Sequence, residues 1–193
     1  SENRRMRRQV EKVMEIATLE GQTQGLQKEE FGAVSWVEEG IAAIQPSITL
    51  YGGEVLLKVD RNSWPESLGP NPPISGDRTH LDGVLSNLLD NAIRYAGDAP
   101  PDITVRLAYV GSGQPHWQVQ VEDKGMGIPK AHQARIFERF HRVPTGNRHD
   151  VKGFGLGLHY VNTIVQAHGG KVSCSSEPGV GSTFSVQLPA PVA

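Results

Sequence analysis

Asn87, Asp90, Asn91 and Arg94 recur three or four residues apart. On a helix that spacing puts them on one face, opposite Leu88, Leu89 and Ile93. A row of amides and a carboxylate beside a cation gives little packing. It either lines a polar cavity or is a solvated face with i,i+4 hydrogen bonds. A neutral Asn oxygen suits Mg²⁺ where phosphates already supply negative charge. A second segment begins at Asp123, the end of an apolar alternating run, and continues through Gly125, Gly127, Ile128 and Pro129. A carboxylate there can accept a hydrogen bond from an exocyclic amine and so tell adenine from guanine. The glycines let backbone approach a flat ring, although an Asp-x-Gly turn is also an ordinary way to end a strand.

In a third segment Phe137 and Phe140 precede Arg142. The Phe pair can anchor the base of a loop in the core while the guanidinium fork reaches a phosphate; core aromatics beside a solvated Arg are the plainer alternative. The fourth is Gly153, Phe154, Gly155, Leu156, Gly157 and Leu158, after a polar stretch and opening a helix. Main-chain N–H groups at a helix start favour anions, and a glycine-rich hinge is the alternative. The spacing is not that of a dinucleotide fingerprint, and no Lys-Ser/Thr pair follows the last glycine as a Walker A loop requires. Four such segments in this order favour a nucleotide site over four coincidences.

The elements that must carry them follow from periodicity. Residues 2–20 read as one helix with a heptad-like stripe at Met6, Val10, Val13 and Ala17, either a surface helix packed on its own domain or one helix of a bundle, followed by a polar linker over 21–30 with Gly25 as hinge. Residues 34–44 read as an amphipathic helix closed by Pro46, 54–59 as a strand, and 62–73 as an irregular loop. A long helix is expected over 81–95, strands over 103–110 and 117–122, and a short helix over 130–137. Residues 144–152 are charged and unpatterned, as a mobile loop is. A helix over 154–168 stops at Gly169 and Gly170, and strands over 171–175 and 183–188 close the chain. The order implies an α+β fold, a two-layer sandwich with helices on one face of a mixed sheet. It divides at residues 1–30 and 31–193.

Composition narrows the class. The 193 residues carry a net charge of −2, against the basic patch expected of a nucleic-acid binder. The single cysteine, Cys174, cannot make an internal disulfide, so a reducing compartment is expected. No apolar run is long enough to span a membrane.

The pattern NxxxN, DxGxGI, FxxF and GxGLGL, followed by GlySerThrPhe at 181–184, resembles the N, G1, F and G2 boxes and final strand of the sensor histidine kinase catalytic domain. That domain belongs to the Bergerat group of ATPases shared with gyrase, Hsp90 and MutL proteins. The likeness covers roughly residues 31–188. It implies that ATP and Mg²⁺ are the ligands. By motif, Asn91 would coordinate the metal, Asn87 would support the triphosphate side, and Arg94 and Arg142 would touch phosphate, Arg142 near the γ-phosphate; these two arginines are the catalytic candidates. Tyr95 would pack beside adenine, Asp123 would bind its amino group, and Gly125, Gly127 and Ile128 would form a wall. Gly153, Phe154, Gly155, Leu156, Gly157 and Leu158 would form the phosphate cradle at the end of a lid over residues 144–152. Thr183 would sit near the adenine.

The resemblance also implies γ-phosphoryl transfer to a histidine on a dimerisation hairpin, a response regulator downstream, a homodimeric parent and no nucleic-acid partner. The parent would be a bacterial sensor anchored in the inner membrane, with this domain cytoplasmic. None of the seven histidines has the acceptor context. The helix at 2–20 resembles the second helix of the hairpin, so the acceptor is expected to come in trans. A serine kinase or ATPase of the same fold, and a degenerate docking module without activity, are the competing readings.

Overall fold

A computed structural model of the chain describes residues 25–144 and 154–190. The expected helix at 2–20, Gly153 and all of the expected lid but Pro144 lie outside the described residues.

Alternating burial builds the sheet. In β4 (Asp102–Val110), Ile103, Val105, Leu107 and Tyr109 face inward. In β5 (His116–Asp123), Trp117, Val119, Val121 and Asp123 do the same. With β2 (Glu54–Val59), β6 (Lys171–Glu177) and β7 (Gly181–Pro189) they form a five-stranded sheet in the order β2-β4-β5-β7-β6. The β2–β4 pair is parallel and the other three pairs are antiparallel. Three helices cover its inner face: α1 (Ala33–Leu50), α2 (Arg78–Arg94) and α4 (Gly157–Ala167). The core lies between the layers, where Trp36, Ile48, Leu85, Leu89, Ile103, Trp117 and Ile164 are almost fully buried. The outer face is polar, with Arg106 and Glu122 paired at 2.9 Å. This is the expected mixed-sheet, two-layer α+β sandwich.

Several boundaries differ from the sequence expectation. Pro46 does not close the first helix, which runs on to Leu50. A proline inside a helix costs about 3 kcal/mol, but Ile44 and Ile48 lie one turn apart on the same face and both are buried, so packing holds the last turn. The end of the expected linker is not loose either. Residues Glu29–Gly32 form β1 and pair antiparallel with β3 (Pro73–Gly76) as a separate two-stranded sheet. The folded unit therefore includes residues that the sequence division at 30/31 left in the linker.

The irregular stretch after β2 is anchored rather than free. Trp64 is buried edge-on against Trp117, with ring centroids 5.5 Å apart. The short helix is one turn only, α3 (Lys130–Gln133). The helix after the glycine-rich segment starts at Gly157 rather than Phe154, because Gly155 has φ 71°, outside the helical region.

Candidate functional site

The carboxyl end of α2, the β5–α3 connection, the segment 141–144 and the β6–β7 turn enclose a cavity of about 200 Å³. Asp123 lies in its wall at the end of β5. Its inward direction follows from strand parity, since it shares a face with Val119 and Val121. The side chain is 7% exposed, and Oδ1 accepts the Gly125 N–H at 2.8 Å. Burial pushes its carboxyl up to about 6, against the opposing hydrogen bonds from the Gly125 and Ser182 backbone. Lys124 does not neutralise it, because its ammonium is tied to Asp102 at 2.5 Å. A buried acceptor thus stands at the wall of a largely apolar cavity, as recognition of a donor on a flat ring requires.

The wall beside Asp123 is irregular backbone. Met126 N–H donates to Tyr95 C=O at 2.9 Å, and Gly179 N–H donates to Met126 C=O at 2.8 Å. Gly127 has φ 65°, and a Cβ there would overlap the Glu177 carbonyl oxygen. Only glycine meets both conditions. Tyr95, Met126, Gly127, Ile128, Pro129 and Ile136 supply one side of the lining, and Pro178, Ser182 and Phe184 another.

Asn91, His141, Arg142, Val143, Pro144 and Leu158 complete the lining. Asn91 comes from the last turns of α2. Arg142 is exposed. His141 sits beside His132, with the ring nitrogens 3.3 Å apart. The Gly155 carbonyl accepts the Phe140 N–H at 3.0 Å, which brings residue 155 up to the 140–141 backbone at the cavity's edge.

Of the residues expected from sequence, Asn91, Tyr95, Asp123, Gly127, Ile128, Arg142 and Leu158 therefore share one cavity. The others stand outside its lining. Asn87 is buried beneath it, with Nδ2 donating to the Gly83 carbonyl at 2.6 Å and Oδ1 close against Gly157. It thus lies between α2 and the start of α4. Arg94 is exposed at the end of α2. Gly125 is behind the wall, packed on the Tyr95 carbonyl. Phe154 is exposed, and Leu156 is buried in the core. Gly155 and Gly157 form the turn into α4.

Two expectations are corrected. Thr183 is on the other face of the sheet, in register with Glu122, whereas Ser182 pairs with Asp123 and faces the cavity. The period of two in a strand makes a one-residue error a change of face. The signal was present, since Phe184, Val186 and Leu188 point inward and Ser182 has their parity. The Phe pair does not anchor together either. Phe137 packs against the core, but Phe140 is exposed with φ 60°, the one non-glycine positive φ among the described residues. Met126, Ile136, Val143 and Pro178 carried no chemical signal and enter the wall by packing alone.

Known proteins resemble this chain in sequence and in fold. The family model described as histidine kinase-, DNA gyrase B-, and HSP90-like ATPase matches residues 76–192. The sensor protein RprX of Bacteroides fragilis is 34% identical over 188 residues, 97% of this chain and 34% of RprX. The probable sensor histidine kinase TcrY of Mycobacterium tuberculosis is 40% identical over 129 residues, 66% of this chain and 26% of TcrY. The chain thus spans about a third or less of these relatives. Among solved structures, full-length ShkA in complex with AMPPNP superposes with a TM-score of 0.77 at 25% identity, over 95% of this chain and 35% of that one.

Proposed function

Because the chain belongs to the histidine kinase-, DNA gyrase B-, and HSP90-like ATPase family, as the ATP-binding domain of a sensor histidine kinase, we propose that its cavity holds ATP with the adenine against Asp123. The observation that carries this is the buried carboxylate in the cavity wall, flanked by backbone that only glycine permits at 127. The 6-amino group of adenine would satisfy the acceptor, and the ring would pack on the apolar lining from Met126, Ile128, Ile136 and Phe184. ShkA, solved with AMPPNP, has the same fold, which supports an adenine nucleotide as the ligand.

The triphosphate would run toward Asn91 and Arg142, which line the same cavity. The residues present fit Mg²⁺: Asn91 lines the cavity and offers a neutral amide oxygen, which suits the ion where phosphates already supply negative charge. Asn91 would hold the ion, which when bound neutralises phosphate charge. Arg142 would bind the γ-phosphate as a planar fork. Arg94, Asn87 and residues 153–157 would act from the phosphate side. The chain's contribution to reaction is to align the γ-phosphoryl group with an incoming imidazole and to stabilise charge as it moves.

The nucleophile would be a histidine on a dimerisation domain, the phosphoryl group would pass on to a response regulator, and the parent would be a homodimer. The sensor histidine kinases among its relatives support the first of these assignments. The parent would be a membrane-anchored bacterial sensor with this domain on the cytoplasmic side. Among the described residues no helix is long and apolar enough to cross a membrane.

The test is transfer in trans. The chain is mixed with γ-labelled ATP, Mg²⁺ and a histidine-bearing hairpin from a related sensor kinase. Acid-labile label on the hairpin is expected, reduced at least tenfold by Arg142→Ala. ATP binding without transfer to any hairpin offered would count against the kinase assignment while leaving the nucleotide site standing.

A further inference from the structure

The wall that faces Asp123 has no regular secondary structure between Lys124 and Pro129, so something other than a helix or ladder must fix it. At Ile128, which lines the cavity, both backbone groups are held by side chains from other elements. Its N–H donates to Ser176 Oγ of β6 at 2.8 Å. Its carbonyl accepts from Gln133 Nε2 at 2.8 Å. The same Nε2 donates to the Ser176 carbonyl at 2.7 Å, so both amide hydrogens of Gln133 are used. Two carbonyl acceptors also settle the orientation of the amide, since the flipped form would set its oxygen against both. Ser176 Oγ–H donates to the Gly181 carbonyl at 2.8 Å, at the start of the strand that carries Ser182. Neither Gln133 nor Ser176 lines the cavity.

We propose that Gln133 and Ser176 are positioning residues for the nucleotide base: together they fix the Ile128 peptide between α3 and β6, and through it the surface on which the base packs. The proposal rests on the reading of the cavity as an adenine site. The physical ground is preorganisation. A loop already held in its bound shape loses less conformational freedom when ligand arrives, and a wall that shifts by a fraction of an ångström loses contact over the whole ring.

The test compares three ligands on the full chain: ATP, adenosine and Mg²⁺-tripolyphosphate, titrated by calorimetry with NMR for weak binding. Gln133→Leu should weaken ATP and adenosine about five- to tenfold, the effect of a lost hydrogen bond, and leave tripolyphosphate unchanged. Gln133→Glu should bind adenosine more weakly than Gln133→Leu, because carboxylate oxygens would then face two carbonyl oxygens. A role in shape alone reverses that rank, since Glu is the nearer isostere. Ser176→Ala, which keeps Gln133 and removes the acceptor for Ile128 N–H, carries the same test if Gln133→Leu does not fold. Unchanged adenosine affinity in the variants, or equal losses of adenosine and tripolyphosphate, overturns the positioning role alone. A folded wild-type chain that binds neither ATP nor adenosine overturns the adenine site and the proposal with it.

Discussion

Asp123→Asn should remove one pH-dependent part of the domain's stability while weakening ATP binding. Asp123 is held with its carboxyl raised from 3.8 to about 6 by burial. The sign follows from which state binds the proton more tightly. Here the folded state does, so this group's contribution is fully present below the unfolded value and is lost as pH rises through about 6. A shift of about two units corresponds to about 3 kcal/mol between the extremes. Within a range that keeps the fold intact, pH 5 to 7, the linkage relation gives a change of about 1.3 kcal/mol. The amide does not titrate, so the variant lacks this dependence. The assay is urea unfolding followed by fluorescence of the buried Trp36, Trp64 and Trp117, run on both proteins at half-unit steps. Other titrating groups cancel in the difference. The stability gap, variant minus wild type, should widen by about 1.3 kcal/mol from pH 5 to pH 7. A gap that stays flat, or narrows as pH rises, refutes the claim that a charged carboxylate is held there at the expense of stability.

Pro46→Ala should raise stability by about 1–2 kcal/mol, since the residue is exposed inside a helix and the gain in the helix is partly offset by a freer unfolded chain; thermal unfolding checks it. His168 accepts the Asp77 N–H through Nε2 at 2.9 Å, with Nδ1 2.8 Å from the Ile164 carbonyl. His168→Ala should cost about 2–3 kcal/mol by leaving a buried N–H without its acceptor. Burial holds the His168 imidazole below 6.5, so its contribution is full above pH 6.5 and declines as pH falls through the lower folded value. The variant should lose that part of the acid limb, opposite in sign to the effect at Asp123.

What could be read from the sequence was whatever local periodicity determines. Leu81, Leu85, Leu88 and Leu89 set the buried face of α2, and the alternation in β4 and β5 set the sheet. Asp123 could be read because it ends a strand whose parity its neighbours define. Ser182 was missed in favour of Thr183 because parity was not carried back from Phe184. The β1–β3 pair was illegible for a different reason: its strands are joined by contacts some forty residues apart, and neither EEFG nor PISG has strand character. Pro46 misled because burial of Ile44 and Ile48 outweighs a local rule. The clamp on Ile128 has no motif at all, since Gln133 and Ser176 meet only once α3 and β6 are packed.

The central claim, that this cavity selects adenine through Asp123, is tested most directly by calorimetric titration of the chain with ATP and with GTP in Mg²⁺. Saturable ATP binding is expected, with GTP at least tenfold weaker, because guanine in the same pose presents its C6 carbonyl where the carboxylate requires a donor. Equal affinity for the two nucleotides, or no ATP binding by the folded chain, would contradict it.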